Sequence, residues 1–355
     1  MRRSLISTLF PVPAYLSLPA MGIDISDKAV KYVELVYKGR HIKLGSFGEI
    51  MLDKDVVVGG VIKDETKLSN AIREIVTKTH ITFANASLPE EKAYLVDLEF
   101  PDIKSSDMQS TVELHLEENI PVEAVKTNFD YEELEGTTGG VVVSAIDAEL
   151  VAGYERSLFT AGVVPVGLEL ESQAIARAVM SPQDASTIMI LDIGRGQTNL
   201  SVASRGVVMF TSSIYIGGDA MTEAIMTDLS IDLKEASSLK EEVGLLNKSE
   251  SKNPFNSIVR VATILRDELY QRMTYWDTSH KSKASMGKIS RIIVCGGNAA
   301  IPGLLDYLST GIALRVVVGN PWLNITDFKE YIPPIKAREA TKYCTAIGLA
   351  LRSMR

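Results

Sequence analysis

A short sequence pattern occurs twice in this chain, at residues 22–33 and again at residues 190–202. In each copy an apolar strand runs into an aspartate, turns on small or polar residues, and resumes as a second strand. Asp24 ends the first strand of one copy, and Asp192 ends the first strand of the other. One such hairpin is common, but two copies indicate a duplicated architecture with two facing halves. We therefore expect the hairpins to face each other across one cleft, where they could grip a nucleotide polyphosphate.

Composition limits the classes of protein to which the chain can belong. A length of 355 residues favours two domains. A formal net charge of −8 argues against a dedicated nucleic-acid-binding protein. No window approaches the ~20 apolar residues that a membrane-spanning helix requires. Cys295 and Cys344 have no partner at metal-ligand spacing, which predicts small buried side chains in a reducing compartment.

The first 20 residues are predicted to form a flexible or surface-docked tail. Arg2 and Arg3 precede a short apolar run, but Pro11 and Pro13 interrupt it, so a secretory signal is disfavoured.

Beyond this tail, strand and helix patterns interleave, which predicts an α/β fold. The predicted strands are 21–26, 29–37, 41–50, 83–88, 94–100, 126–134, 141–146, 163–168, 187–192, 199–204, 207–214, 289–294 and 316–319. The predicted helices are 64–80, 105–119, 147–161, 171–180, one starting at 217–219, 232–246, 255–278, a short one after 301–303, and 339–353. The block 94–165 is predicted to be a small α+β subdomain inserted into the first half.

The two strand-end aspartates are candidates for metal binding. A carboxylate at the end of a buried strand is costly without a partner. Asp24 and Asp192 could hold Mg²⁺ through water, since this ion prefers oxygen ligands and retains water. Each aspartate could instead only accept hydrogen bonds from turn amides. Their matching contexts favour the metal.

Glycines and one lysine near these turns are candidates for phosphate binding. Gly194 and Gly196 have no Cβ, so backbone amides there can approach an anion closely. Lys31, seven residues after Asp24, could reach a phosphate or could simply face solvent. The loops 217–219 and 296–298 could let a ring or ribose rest on backbone, or could be plain tight turns.

Taken together, these elements resemble the actin, Hsp70 and sugar-kinase superfamily. The order is the same: a first phosphate hairpin, a connecting helix, a second phosphate hairpin, an adenosine loop and a final connecting helix. Within the superfamily the chain is similar to the PilM family of type IV pilus assembly proteins, with FtsA as a cousin. The residues that carry this similarity are Gly22–Ser26, Val30–Lys31, Glu117–Pro121, Glu169–Ser172 and Ala346–Ala350.

The resemblance implies an actin-like, ribonuclease H-type ATPase fold with two lobes, and ATP and Mg²⁺ as cofactors. It implies the divisions tail 1–20, first-lobe core 21–93, inserted subdomain 94–165, return to the first lobe 166–186, second lobe 187–335 and closing helix 336–355. The implied site residues are, for phosphate, Ser26, Lys31, Gly194, Gly196, Gln197 and Thr198; for adenosine, Gly217, Gly218, Lys240, Gly296, Gly297 and Asn298; for the metal, Asp24 and Asp192; and for positioning water or metal, Glu171.

Three residues depart from the pattern of the family. Ser26 replaces the usual glycine of the first hairpin, and Ser237 stands where the family often has a glutamate for the ribose hydroxyls. Asp27 adds a negative charge that would repel a γ-phosphate unless Mg²⁺ intervenes. We therefore expect at most weak ATPase activity.

The resemblance also implies a partner and a location. The partner is the N-terminal cytoplasmic peptide of a PilN-like inner-membrane protein, held in a groove between the first subdomain and the insert. The chain would then be cytoplasmic and peripheral to the inner membrane through that partner, with no membrane span and no nucleic acid. The resemblance also admits contacts with pilus motor ATPases and self-association.

Two alternatives stay open from sequence. A sugar or acetate kinase of the same superfamily would need a further carboxylate base for a substrate hydroxyl, and no other strand-end aspartate stands out. An FtsA-like membrane-tethered filament would be expected to carry a C-terminal amphipathic helix, whereas this sequence stops after the closing helix. The stretch 5–18 could serve as a surface anchor in that case.

Overall fold

Two five-stranded sheets form the frame of the protein, one for each copy of the repeated pattern. The computed structural model describes residues 20–39, 41–101, 103–104, 106–246, 253–279 and 287–354. The predicted tail, apart from residue 20, and the predicted surface anchor 5–18 lie outside the described residues.

The first sheet has the spatial order β10-β6-β1-β2-β3. Its strands are β1 (Met21–Ile25), β2 (Ala29–Lys38), β3 (His41–Met51), β6 (Phe83–Leu88) and β10 (Val164–Leu170). β1, β2 and β3 are antiparallel neighbours, whereas β6 runs parallel to both β1 and β10. A short hairpin that the sequence analysis did not predict, β4 (Val57–Val58) and β5 (Val61–Ile62), follows β3.

The second sheet repeats this topology with the order β13-β12-β11-β14-β15. Its strands are β11 (Thr187–Ile193), β12 (Thr198–Ser204), β13 (Val207–Ile214), β14 (Ile289–Cys295) and β15 (Arg315–Val318). An antiparallel meander is again extended on the other side of its first strand by two parallel strands. The prediction of a duplicated α/β architecture is therefore confirmed, with strand boundaries close to those expected.

Helices cover the sheets and fill the space between them. They are α1 (Glu65–Thr79), α2 (Met108–Asn119), α3 (Ala148–Ala161), α4 (Glu171–Val179), α5 (Gly218–Leu229), α6 (Leu233–Glu242), α7 (Phe255–Ser279), α8 (Leu304–Ser309), α9 (Ala337–Ala340) and α10 (Cys344–Arg352). Asp147 caps α3 as predicted, because its carboxylate accepts the Leu150 N–H. α6 ends before the predicted residue 246, because Gly244 takes a left-handed conformation (φ 57°).

The inserted block folds around its own small sheet. Its strands are β7 (Ala93–Glu99), β8 (Thr127–Glu133) and β9 (Gly140–Asp147), in the order β7-β9-β8. α2 packs on this sheet through Met108, Val112 and Leu116, which share a core with Val141 and Val143. The predicted hairpin and helix of this region are confirmed.

The closing helix is interrupted rather than continuous, which corrects the predicted span 339–353. α9 and α10 are separated by a 3₁₀ turn at Thr341–Tyr343. The Thr341 carbonyl accepts the N–H of Gly296 (3.1 Å), so it is committed outside the helix. α10 then lies between β1 and α4. A Cβ on Gly22 would stand 1.9 Å from the Ala346 carbonyl oxygen, and one on Gly348 would stand 1.8 Å from that of Ala174.

Both cysteines, Cys295 and Cys344, are buried and free, as predicted. In the described part of the chain, no helix is both long and apolar enough to cross a bilayer.

Candidate functional site

A cavity of about 690 Å³ lies between the two sheets, where the repeated hairpins meet. The sequence-predicted residues that line it are Asp24, Ser26, Lys31, Glu171, Asp192, Gly194, Gly196, Gln197, Lys240, Gly297 and Asn298. The two aspartate turns therefore converge on one cleft, as the repeated pattern predicts.

Asp24 is nearly buried, and both of its carboxylate oxygens have partners. It stands opposite Lys31 in the β1–β2 register, and the Lys31 ammonium lies 3.1 Å from Oδ2. The Ser87 hydroxyl donates to Oδ1 (3.3 Å). The negative charge of the first hairpin is thus balanced within the first lobe.

Lys31 connects the two hairpins electrostatically. Burial alone would lower its pKa, but the carboxylates of Asp24 and Asp192 outweigh burial and raise the pKa of Lys31. Glu171 adds to the same effect. One ammonium group therefore interacts with three carboxylates from three elements, and a phosphate in the cleft would find this cation in place.

Asp192 is in a different electrostatic state from Asp24. Burial raises its pKa to about 6, opposed by Lys31 and reinforced by Asp24. Within the described residues no cation lies within ion-pair distance of it. Its register partner is Asn199, which is uncharged. Asp192 therefore carries a partly uncompensated charge that a bound cation would stabilise.

Glu171 begins α4 and reaches across to the second lobe. The Asn199 side-chain amide donates to its Oε2 (2.9 Å). Burial raises the pKa of Glu171 well above its ordinary value, and the carboxylates of Asp24 and Glu91 raise it further.

A second bond across the cleft joins the Gln197 side-chain amide to Glu91 Oε2 (3.3 Å), and Gln197 also donates to Asn199 Oδ1 (3.2 Å). Asn199 and Glu91 were not predicted from sequence. The signal for Asn199 was available: it follows Asp192 by the seven positions that separate Lys31 from Asp24. In the second copy an amide occupies the place of the ammonium.

Hydrogen bonds from two neighbouring segments fix the turn of the second hairpin. The Gly194 carbonyl accepts the Gly218 N–H (3.0 Å) and the Asn298 side-chain amide (2.8 Å). The Arg195 carbonyl accepts the Asp219 N–H (2.8 Å). The start of α5 and the loop after β14 thus fix this turn while Gly194 and Gly196 remain on the cavity wall.

Four residues predicted to contact the nucleotide do not line the cavity. Thr198 is fully buried, and its hydroxyl donates to the Ile216 carbonyl (2.7 Å). Gly217 and Gly218 pack against the Arg195 backbone and the Asn298 side chain, where a Cβ would collide. Gly296, in a left-handed conformation (φ 90°), packs against the Asp192 carboxylate and the Ile193 carbonyl. Their predicted contacts with a nucleotide stay predictions.

Lys240 also lines the cleft; it is mostly buried, and its ammonium donates to the Gly218 carbonyl (3.2 Å). Burial lowers the pKa of Lys240, against the opposing effect of Glu241. Ser237 and Leu233 of α6 line the same cavity, as does Gly297.

The sequence analysis expects the charge of Asp27 to repel a phosphate, but in the structure this carboxylate is hydrogen-bonded to the backbone. Its carboxylate accepts the N–H groups of Gly59 (2.7 Å) and Gly60 (3.1 Å), the turn of the β4–β5 hairpin. Its charge is thus hydrogen-bonded to backbone, although the residue remains on the cavity wall.

No three His, Cys, Asp or Glu side chains in the described ranges come together to hold a metal ion. Asp24 and Asp192 supply carboxylate oxygens, which suit Mg²⁺, but a cation here would need phosphate or water oxygens as well.

A second cavity, about 440 Å³, lies between the small sheet and the first lobe. It is bordered by β8 on one side and by β10 and the body of α4 on the other. Its buried Glu169 accepts hydrogen bonds from both Arg177 and Arg352, the latter at 2.8 Å. We call this cavity the insert groove.

The repeated topology and the interlobar cleft define the class of the protein, the actin-like ATPase fold. The structure of MreB5 of Spiroplasma citri bound to ADP superposes with a TM-score of 0.54 and 13% identity, covering 94% of this chain and 95% of that one. A chain of the PilM-PilN type IV pilus biogenesis complex superposes with a TM-score of 0.77 and 23% identity, covering 96% and 99%.

The family is shown by sequence. A family model described as type IV pilus assembly protein PilM matches residues 22–354, and the chain belongs to this family. The cell division protein FtsA of Bacillus subtilis (strain 168) is 23% identical over 213 residues, which is 55% of this chain. That match spans less than half, 45%, of the FtsA protein.

Proposed function

We propose that this chain is a nucleotide-binding component of the type IV pilus assembly platform, with ATP and Mg²⁺ bound between its lobes. The observation that carries the proposal is the convergence of Asp24, Lys31 and Asp192 on one cleft. The related fold of MreB5, solved with ADP, supports it. The FtsA-like alternative has weaker support, because the family model that matches is that of PilM.

The residues of the cleft suggest a division of roles. Lys31 and the backbone amides of residues 194–197 would face the phosphates, with Ser26 and Gln197 beside them. Asp24 and Asp192 would hold Mg²⁺ together with phosphate and water oxygens, and the cation would neutralise charge at the phosphates. Lys240, Gly297 and Asn298 would border the adenosine. Hydrolysis would be slow at most, because Ser26 and Ser237 depart from the pattern of the family.

Calorimetric titration with ATP in the presence of Mg²⁺ tests the proposal. Asp24→Asn and Asp192→Asn should each weaken binding at least about tenfold if they serve the cation, which corresponds to about 1.4 kcal/mol. Asp277→Asn, an exposed substitution on α7, is the matched control and should bind like the parent. Unchanged affinity in both cleft variants would remove the metal role.

We propose that the partner is the N-terminal cytoplasmic peptide of a PilN-like inner-membrane protein, and that it occupies the insert groove. The structural similarity to the PilM-PilN complex supports such a partner. The groove lies between the insert and the first lobe, where the family resemblance locates it. The chain would then act on the cytoplasmic face of the inner membrane through this partner.

We also propose that the chain divides as the sequence predicts, into tail 1–20, first-lobe core 21–93, insert 94–165, return 166–186, second lobe 187–335 and closing segment 336–355.

Binding of the partner peptide to the variant Val166→Glu tests whether the peptide occupies the insert groove, because Val166 lies on the groove wall and is 43% exposed. Phe159→Glu, an exposed position on α3 outside the groove, is the control. Equal binding by both variants would place the peptide elsewhere.

A further inference from the structure

The insert groove has unpaired sheet edges on both sides. β8 is the outermost strand of the small sheet, and β10 is the outermost strand of the first sheet within the described residues. Both border the same cavity. An edge strand presents free backbone N–H and C=O groups, so it can pair with an extended segment of another chain.

The two edges are not equally good templates. β10 contains Pro165, which has no N–H, and its pairing with β6 shifts register between Pro165 and Gly167. β8 has seven residues without proline, and its pairing with β9 runs without a shift from Thr127 to Glu133. An incoming strand would therefore pair better with β8.

The charges in the groove are unbalanced. Its two guanidinium groups, those of Arg177 and Arg352, both donate to Glu169. The other three carboxylates on the groove wall are those of Asp130, Glu132 and Glu155. None of these three has an ion-pair partner in the part of the chain that the structure describes.

The pKa of Glu132 reflects this excess of negative charge in the groove. Part of its side chain is exposed, but the walls of the groove withdraw its carboxyl group from water, and this desolvation raises the pKa of Glu132. Arg177 opposes the rise, whereas the carboxylates of Asp130 and Glu169 add to it. A cation placed here would reverse the effect.

We propose that the insert groove selects an extended segment that pairs with the free edge of β8 and sets a cationic group against Asp130, Glu132 and Glu155. The cationic group is a Lys or Arg side chain or an N-terminal amine. This inference rests on the proposed function, because it defines the chemistry of the partner peptide. Alternate side chains of the segment would face the wall formed by Val166 and Leu168.

Charge recognition is tested by titrating the synthetic N-terminal peptide of the PilN-like partner into the full chain and its variants. Each partly exposed charge is worth about threefold in affinity, so the triple variant Asp130→Asn/Glu132→Gln/Glu155→Gln should bind about thirtyfold more weakly. Added salt should weaken binding to the parent chain and have little effect on the triple variant. Glu113→Gln, an exposed substitution on α2 of the same subdomain, is the control and should bind like the parent.

A proton count separates direct recognition from a structural effect of the substitutions. Because a cation lowers the pKa of Glu132, peptide binding at mildly acidic pH should release protons from the parent chain. The release is measured as the dependence of the binding enthalpy on the ionisation enthalpy of the buffer. Glu132→Gln should bind with a smaller release.

Backbone pairing is tested with peptides that are N-methylated at one amide at a time. Pairing with β8 predicts a loss of affinity at every second position, since alternate amides of a strand face its neighbour. Equal affinity at all positions would overturn the pairing.

The outcomes are distinguishable. No binding of the peptide to the parent chain would overturn the proposed partner and this inference with it. Binding that the triple variant leaves unchanged would overturn only the inference. Deleting residues 1–19 addresses the chain's own tail as the occupant: unchanged affinity supports the partner peptide, and a rise of about tenfold would assign the groove to the tail instead.

Discussion

The two aspartate hairpins share a topology and differ in how they balance charge and hold their turns. In the first hairpin Asp24 faces Lys31 across the ladder, and in the second Asp192 faces Asn199 at the same spacing. The first carboxylate is paired, whereas burial raises the pKa of the second to about 6. The duplicated scaffold thus supplies one carboxylate that is paired with a lysine, Asp24, and one whose ionisation a ligand can change, Asp192.

The turns differ in the same sense. The first is held by its own side chain, since both the N–H and the hydroxyl of Ser26 donate to the Ala29 carbonyl (3.0 and 2.9 Å). The second is glycine-rich and relies on bonds from α5 and from Asn298. The first hairpin is therefore largely self-contained, and the second depends on the rest of its lobe.

The strands behind the turns also differ. Gly22 of β1 and Ile190 of β11 stand at equivalent positions, two residues before each aspartate. Ile190 contributes a buried side chain to the core. Gly22 contributes none, because the backbone of α10 occupies that space. The same pattern serves core packing in one lobe and close helix contact in the other.

The largest effect is expected from Gly22→Ala. A Cβ there meets the Ala346 carbonyl oxygen and the Ala350 nitrogen, both backbone atoms that cannot rotate away. Overpacking of this kind should lower the free energy of unfolding by about 3 kcal/mol or more, measured by urea denaturation. Gly196→Ala is the control, since a Cβ at Gly196 in the second hairpin meets nothing within 4 Å. A loss similar to that of the control would refute the close contact.

Lys31→Met should have the next largest effect. It leaves Asp24 buried with only the Ser87 hydroxyl as a donor. Because Lys31 is partly exposed, we expect a loss of about 2 kcal/mol of stability, below the range for a fully buried pair. The double variant Lys31→Met/Asp24→Asn should recover most of the loss, which urea denaturation of the cycle measures. Additive effects would show that the pair is not coupled.

Asp192→Asn should change the pH dependence of stability. The folded-state pKa is about 6 and the ordinary value is 3.8, so the folded protein holds a proton that the unfolded chain has released between these values. Stability therefore falls as pH rises from about 4 to about 6. The variant should gain about 1 to 2 kcal/mol over the parent at pH 7 and nothing below about pH 4.

Urea denaturation of both proteins across this pH range measures the difference, with Asp277→Asn as the control. A difference between Asp192→Asn and the parent that is the same at every pH would contradict the raised pKa of Asp192.

The smallest effect is expected from Asp27→Asn. The amide side chain retains one good acceptor for the N–H groups of Gly59 and Gly60, so stability should fall by about 1 kcal/mol. Because these backbone N–H groups already stabilise the negative charge of Asp27 in the parent chain, removing that charge should change ATP affinity less than about threefold. Calorimetry decides this point. A tenfold gain in affinity would instead show that Asp27 repels the phosphates.

Periodicity and turn residues were sufficient to predict most of the fold. The alternation in strands and the caps at Asp147 and Gly162 are local signals, so those elements ended near the predicted residues. The interruption at Thr341 was not predictable in this way, because its cause is a bond to Gly296 from a distant loop.

The candidate site was predictable where it repeated a pattern, and less so where it depended on orientation. Strand alternation separates the buried side chain of Thr198 from that of its neighbour Asn199, which lines the cleft. The bonds from Gln197 to Glu91 and from Asn199 to Glu171 join distant parts of the chain across the lobes. The spacing of residues along the sequence does not predict such contacts.

The position of α10 has a consequence for synthesis. The first sheet needs this helix, which is far away in sequence. The side-chain amide of Asn85 on β6 donates a hydrogen bond to the Leu349 carbonyl, 264 positions later. Contacts of such separation slow folding, because the intervening chain must be ordered first. As the polypeptide leaves the ribosome, β1 and β6 would expose apolar surface until α10 has been made. Apolar surface that is exposed for so long makes a nascent chain prone to aggregation.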